Sequence, residues 1–172
     1  MKALLLCAGI GKRLRPITAT IPKCLVPILG RPLLEYWLEL LCEAGITEFI
    51  INTHYLPELV KKYIEQSSYK KYIKLVYEDY LLGTGGTLLK NKSQLMDDQI
   101  MLVHADNLSK FNVSDFINAH QNRPANTKFT MMTFKSENPQ SAGIVQTDKQ
   151  RIVREFFEKV KNPPGNIANA AV

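Results

Sequence analysis

At 172 residues with 45% hydrophobic content, the chain is long enough for one full core and too short for several domains. Its net charge of +6 is modest, and Lys and Arg are spread along it. That argues against a nucleic-acid footprint and for an anionic small substrate or plain solubility. Cys7, Cys24 and Cys42 lie in apolar surroundings without paired spacing, which speaks against a disulfide framework or a zinc site and for reduced core thiols.

The elements alternate in chain order. Residues 2–7 predict a buried strand. Apolar residues at helical spacing predict a helix over 33–44, stopped by Gly45. A buried strand follows over 48–53, then a helix over 56–66 with Pro57 in its first turn. Tyr69-Lys70-Lys71-Tyr72 reads as a solvated turn ahead of a strand over 73–77, with RNA contact a distant second. Residues 84–96 predict a helix opened by glycines, and 100–104 a strand. A helix over 113–120 is capped by Asn112 or Ser114. Strands are expected over 129–134, near 143–147 and over 152–157. This alternation predicts an α/β fold, a Rossmann-like, mainly parallel sheet with helices on both faces. Ligands of such sheets bind beyond the carboxyl ends of the strands, where the first loop, Glu78 and Asp106 all fall. No apolar stretch is long enough to span a membrane and no signal peptide precedes the first strand, which predicts a cytoplasmic protein with no membrane partner.

The loop after the first strand carries the most chemistry. Gly9 and Gly11 let backbone N–H groups approach an anion, and Lys12, Arg13, Arg15 and Lys23 flank them with fixed cations. That arrangement suits a polyphosphate with a charged leaving group. Two commoner glycine motifs fit worse. A dinucleotide fingerprint needs a third glycine where Leu14 stands, and a carboxylate after the second strand, which ends in Asn52-Thr53. A Walker loop needs Ser or Thr after the lysine, where Arg13 stands.

Ala8, Gly9, Gly11, Arg13, Leu14, Pro16 and Thr18, followed by Pro22, Lys23, Leu25 and Pro27, resemble the signature of the sugar-1-phosphate nucleotidyltransferases, also called nucleoside-diphosphate-sugar pyrophosphorylases. Within that family the likeness is nearest to mannose-1-phosphate guanylyltransferase-like proteins. The resemblance implies the nucleotide-diphospho-sugar transferase type of fold and transfer of a nucleotidyl group from an NTP to a sugar 1-phosphate. It implies catalytic roles for Arg13, Lys23 and Asp106, and contacts to the nucleotide from Leu6, Ala8, Gly9 and Gly11.

Further segments extend the likeness. Leu82-Gly83-Thr84-Gly85-Gly86-Thr87-Leu88 is similar to the family's nucleobase and ribose loop, which implicates Gly83, Thr84 and Gly86. Alone, those glycines read as a tight loop needing positive φ. Asp106 follows an apolar strand, a natural place for a hard-oxygen ligand. Alone it reads as a turn cap; the resemblance makes it the ligand of Mg²⁺. His104 reads as a buried, hydrogen-bonded strand residue, since a sugar phosphate is already an anion and needs no base. Gly143 resembles the family's glycine-bearing strand against the sugar, Glu158 and Lys159 its sugar and sugar-phosphate contacts, and Asn169 its sugar-binding asparagine. Alone, Glu158-Lys159 is an ordinary exposed pair.

Against this family the chain reads as one nucleotidyltransferase domain over 1–172, truncated at its C-terminus. It stops at Ala170-Ala171-Val172, at the start of an apolar strand, and the family's second metal-holding aspartate has no counterpart in it. Self-association through that strand is expected, and a homo-oligomer stays open. Two other readings stay open as well: a non-catalytic nucleotide or sugar-nucleotide binding protein, and a cytidylyltransferase acting on an alcohol phosphate.

Overall fold

The computed structural model describes residues 1–96, 99–170 and 172. It divides into two compact units, residues 1–113 and 114–172.

The first unit is built on a four-stranded parallel sheet. Its strands are β1 (Lys2–Leu6), β4 (Phe49–Thr53), β5 (Ile73–Tyr77) and β6 (Ile100–His104), in the order β5-β4-β1-β6. Between β1 and β4 lie a short hairpin, β2 (Pro27–Ile28) and β3 (Arg31–Pro32), and helix α1 (Leu33–Glu43). Helix α2 (Pro57–Gln66) joins β4 to β5, and α3 (Gly83–Lys90) with α4 (Lys92–Leu95) joins β5 to β6. Parallel strands flanked by helices are covered on both faces, so they read as continuous apolar runs. All five residues of β4 are buried, as are Ala3, Leu4 and Leu5 of β1. Leu4, Ile50 and Leu95 form a cluster on which Leu6, Val76, Leu88 and Leu102 pack.

Helix α1 buries Leu33, Leu34, Trp37, Leu38 and Leu41, a stripe at helical spacing. It ends as the glycine predicts. Gly45 takes φ +84°, its N–H donates to Cys42 O at 2.9 Å and the Ile46 N–H donates to Leu41 O at 3.0 Å. These two bonds satisfy the last carbonyls of the helix.

One expected helix divides. The span 84–96 breaks at Asn91, whose buried side-chain amide donates to Thr87 O at 2.9 Å. Such a local bond competes with continuation of the helix.

The second unit holds α5 (Val113–Gln121, its first residue closing the first unit) and a separate sheet. Asn112 precedes α5 at the capping position, and Ser114 lies inside the first turn. The sheet contains β7 (Thr133–Lys135), β8 (Gly143–Thr147), β9 (Val153–Glu158) and β10 (Ile167–Asn169), in the order β7-β10-β8-β9, with every pairing antiparallel. The expected parallel sheet is thus the sheet of the first unit, and the C-terminal strands make their own. Among the described residues no α-helix intervenes between them; without such crossovers the strands pair antiparallel, β8 and β9 as a hairpin.

The strand expected over 129–134 begins later, at Thr133. Before it, Thr127 closes a turn on Pro124 O and the Thr130 hydroxyl bonds His120. The final strand comes earlier than Ala170, as β10. Ala170 N–H still donates to Met132 O, and Met132 N–H to Val172 O; Ala171 lies outside the described residues. No described helix is long and apolar enough to cross a membrane.

Candidate active site

The loop after β1 is held from behind. The Cys7 N–H donates to Asn52 Oδ1 at 2.7 Å, so the loop leaves β1 pinned to the neighbouring strand. Gly11 takes φ +68°, a region that L side chains rarely adopt. Its carbonyl accepts from Leu14 N–H at 2.9 Å and from the buried Thr18 hydroxyl at 2.7 Å. Tyr55 Oη–H in turn donates to Thr18 O and Ala19 O. Among the described residues, the N–H groups of Gly9, Ile10 and Gly11 donate to no protein acceptor. That leaves three successive amides for an outside anion.

Lys23 and Asp106 meet in front of this loop. β1 and β6 are neighbours, and Leu6 pairs with His104, so the ends of both strands open on one place. Lys23 Nζ donates to Asp106 Oδ2 at 2.7 Å. A cavity of about 510 Å³ is lined by Gly11, Lys12, Arg13, Leu14, Lys23 and Asp106. Three of its six lining residues are cations beside one carboxylate, a match for a polyphosphate with a metal ion. The turn carrying Asp106 is anchored by Trp37, whose indole N–H donates to Asn107 O at 2.8 Å. A second cavity, about 390 Å³, lies at the amino ends of β1, β4 and β5 and contains none of these residues.

The glycine turn into α3 is the next part. Gly83 has φ +70°. The Thr84 hydroxyl and His104 Nε2 are 3.4 Å apart, so the expected hydrogen bond of His104 is present, although the residue is half-buried. Gly85 has open space where a Cβ would stand, whereas a Cβ on Gly86 would lie 2.9 Å from Leu82 Cβ. Leu6 ends β1, and Ala8 is 5% exposed.

Sequence reasoning placed Glu78 at a strand end but missed that it is buried and bonded beneath these loops. Glu78, 1% exposed, accepts from Asn52 Nδ2 at 3.0 Å and the Thr87 hydroxyl at 2.6 Å, and more weakly from Leu82 N–H at 3.4 Å. A signal was available: Asn52 and Thr53 are polar residues in an otherwise apolar strand.

In the second unit, Gly143 pairs with Glu158 across β8 and β9. A Cβ at Gly143 would stand 2.5 Å from Phe156 Cζ and 2.8 Å from Glu158 Oε2, the outer ends of two exposed side chains, so a larger residue there would displace both. Lys159 takes φ +50°, and its ammonium pairs with Glu158 at 2.7 Å, both side chains being exposed. Asn169 closes β10 opposite Thr133.

The cysteines behave as core thiols. Cys7 and Cys24 are buried and Cys42 is half-buried. A hydrogen bond with Cys24, then burial, pushes the Cys7 thiol up, and burial does the same to Cys42. Protonated thiols of this kind are poor metal ligands.

Residues 2–172 match the family described as Nucleotidyl transferase. The chain belongs to that family. It is similar to the mannose-1-phosphate guanylyltransferase of Mycobacterium tuberculosis, 32% identical over 169 residues that cover 98% of this chain and 46% of that protein. It is also similar to the low-salt glycan biosynthesis nucleotidyltransferase of Haloferax volcanii, 36% identical over 170 residues, covering 98% and 47%. Among solved structures, UDP-glucose pyrophosphorylase complexed with UDP-glucose superposes with a TM-score of 0.81 at 21% identity, covering 99% of this chain and 74% of that one. This last likeness shows the nucleotide-diphospho-sugar transferase fold. The chain spans about half the length of the curated relatives it matches.

Proposed function

We propose that this chain carries the nucleotidyl-transfer site of a sugar-1-phosphate nucleotidyltransferase, with GTP and mannose 1-phosphate as the substrates its named relatives suggest. The observation that carries this reading is the 510 Å³ cavity in which Gly11, Arg13, Lys23 and Asp106 converge. In the reaction, a phosphate oxygen of the sugar 1-phosphate attacks the α-phosphorus of the NTP in line. The bond from that phosphorus to the bridging oxygen breaks, and pyrophosphate leaves with the electron pair. Little covalent work falls to the protein, so its contribution is positioning and charge stabilisation.

Each residue has a role on this reading. The loop amides of Gly9 to Gly11 take phosphate oxygens, and Arg13 neutralises charge growing on pyrophosphate. Lys23 holds the α-phosphate or the bridging oxygen. Gly83, Thr84 and Gly86 receive the base and ribose. Lys159 positions the sugar phosphate, and Glu158, Gly143 and Asn169 serve the sugar.

Asp106 fits a Mg²⁺ ligand. It is a half-exposed hard-oxygen donor at a strand end, and Lys23 already seats a positive charge on it. Among the described residues no group of three or more His, Cys, Asp or Glu side chains gathers to hold a metal. Mg²⁺ is commonly held by one or two carboxylates with substrate phosphates and water completing the shell. Asp106 would hold the metal there, and the ion would supply positive charge to the phosphates.

The test combines NTP binding by calorimetry with Mg²⁺-dependent pyrophosphate release, over a panel of NTPs and sugar 1-phosphates. Arg13→Ala and Lys23→Ala are each expected to lower turnover by about 10²–10³, the usual cost of one preorganised charge. Asp106→Asn is expected to abolish Mg²⁺-supported turnover. Measured on the chain extended at its C-terminus, wild-type rates in all three variants, or nucleotide binding with no product under any substrate pair, would overturn the enzymatic reading.

A further inference from the structure

We propose that Glu78 is a positioning residue that sets the spacing between the phosphate-binding loop and the base-binding glycine turn. The inference rests on the functional reading above and adds a residue that reading did not contain.

Glu78 stands immediately after β5 and is 1% exposed. A carboxylate so deeply buried is costly unless its oxygens are satisfied. Among the described residues, the donors that reach it are neutral: the Asn52 amide, the Thr87 hydroxyl and the Leu82 N–H. A fold that only needed a filled core would place an apolar side chain here at lower cost.

The donors lead to both halves of the nucleotide site. Asn52 is bonded at its two ends. Its Nδ2 donates to Glu78, so its Oδ1 faces the other way and accepts the Cys7 N–H at 2.7 Å. Cys7 is the first residue of the loop that continues through Gly9 and Gly11. On the other side, Leu82 opens α3 and Thr87 stands one turn further along it. Glu78 Oε1 takes the Thr87 hydroxyl and Oε2 faces the Leu82 N–H. The positive end of α3 is therefore met by a resident carboxylate. The glycine turn is left to receive the flat, uncharged base, while the phosphates fall to the free amides of the first loop.

Among the described residues no backbone hydrogen bond joins these two loops to each other. Side chains set their spacing, through a run of short bonds in a low-dielectric interior. An NTP that spans both loops needs that spacing; a ligand that touches only one does not.

This gives a signature that general loss of stability would not produce. Glu78→Gln puts an amide N–H₂ where only donors converge, and Thr87→Val removes the shortest donor at nearly constant volume. Both variants are expected to weaken the best-binding NTP of the panel by about tenfold or more, through misplaced loops. The free nucleoside and inorganic triphosphate, measured by competition against that NTP, should keep their wild-type affinities. KM for the sugar 1-phosphate should also be unmoved. Thr87→Ser retains the hydroxyl and should restore NTP affinity. NTP affinity unchanged in both Glu78→Gln and Thr87→Val overturns the inference, as does a loss shared equally by NTP, nucleoside and triphosphate. If no NTP binds the wild-type chain, the parent reading falls and takes this inference with it; a wild type that binds NTP beside indifferent variants sinks the inference alone.

Discussion

Gly11 shows at the scale of one residue why the loop needs glycine. Its φ is +68°, and a Cβ there would stand 2.9 Å from Thr18 Cγ2 and 3.3 Å from Lys23 Cβ. Alanine would meet both backbone strain and a packed neighbour that is itself bonded in place. Gly11→Ala should cost about 1–2 kcal/mol from backbone strain, seen as a lower denaturant midpoint, and should weaken NTP binding because Lys23 must give way. An unchanged midpoint together with unchanged affinity would contradict this account. The Lys23–Asp106 pair lies at the other extreme. Its side chains are 21% and 37% exposed, and such a pair contributes about 0–1 kcal/mol to stability. Removing either member should therefore leave the fold intact, so the kinetic losses expected at these positions report on chemistry. Lys23 was legible from its spacing after a glycine loop, whereas Asp106 alone read as a turn cap and was singled out by the family resemblance. Their contact with each other was not legible, because it depends on which strand lies beside β1.

Among the elements, the β8–β9 hairpin carries a pH dependence. Its turn is held by Asp148. The Ile152 N–H, the Arg154 guanidinium and the Gln150 N–H all bond its carboxylate, and Ile152 contributes most to holding its pKa below the usual range. A carboxyl group depressed in the folded state binds its proton more readily once unfolded. Its stabilisation is therefore fully present above the ordinary carboxylate pKa and is lost as pH falls through the folded value. The expected outcome is a gap in denaturant midpoint between wild type and Asp148→Asn that is widest near neutral pH and closes in strong acid. A gap independent of pH would show that the turn depends on shape alone. Element boundaries were legible where the signal was local: the spans of β5, β6 and β8 match their expected ranges. They were not legible at Asn91, where a side-chain bond to the preceding turn divides one expected helix into two.

For the molecule as a whole, stability should concentrate in the core of the first unit. Leu4 is fully buried in the middle of the parallel sheet, in one cluster with Ile50 and Leu95. Leu4→Ala should cost about 2–5 kcal/mol, from lost transfer energy and the cavity left behind, measured by chemical denaturation. A cost under about 1 kcal/mol would mean that the sheet closes over the gap. The sequence by itself determined the fold class, the family and the residues that bear charge at strand ends. Each of these is written in short windows: apolar period, glycine spacing, the residue that follows a strand. The tertiary structure alone decided the order β5-β4-β1-β6, the antiparallel second sheet and the bonds from Glu78 through Asn52 to Cys7. It also closed the 83 positions between Lys23 and Asp106 to 2.7 Å. These are facts about which distant segments become neighbours, and strand pairing is settled by the packing of the whole core, which no local window contains.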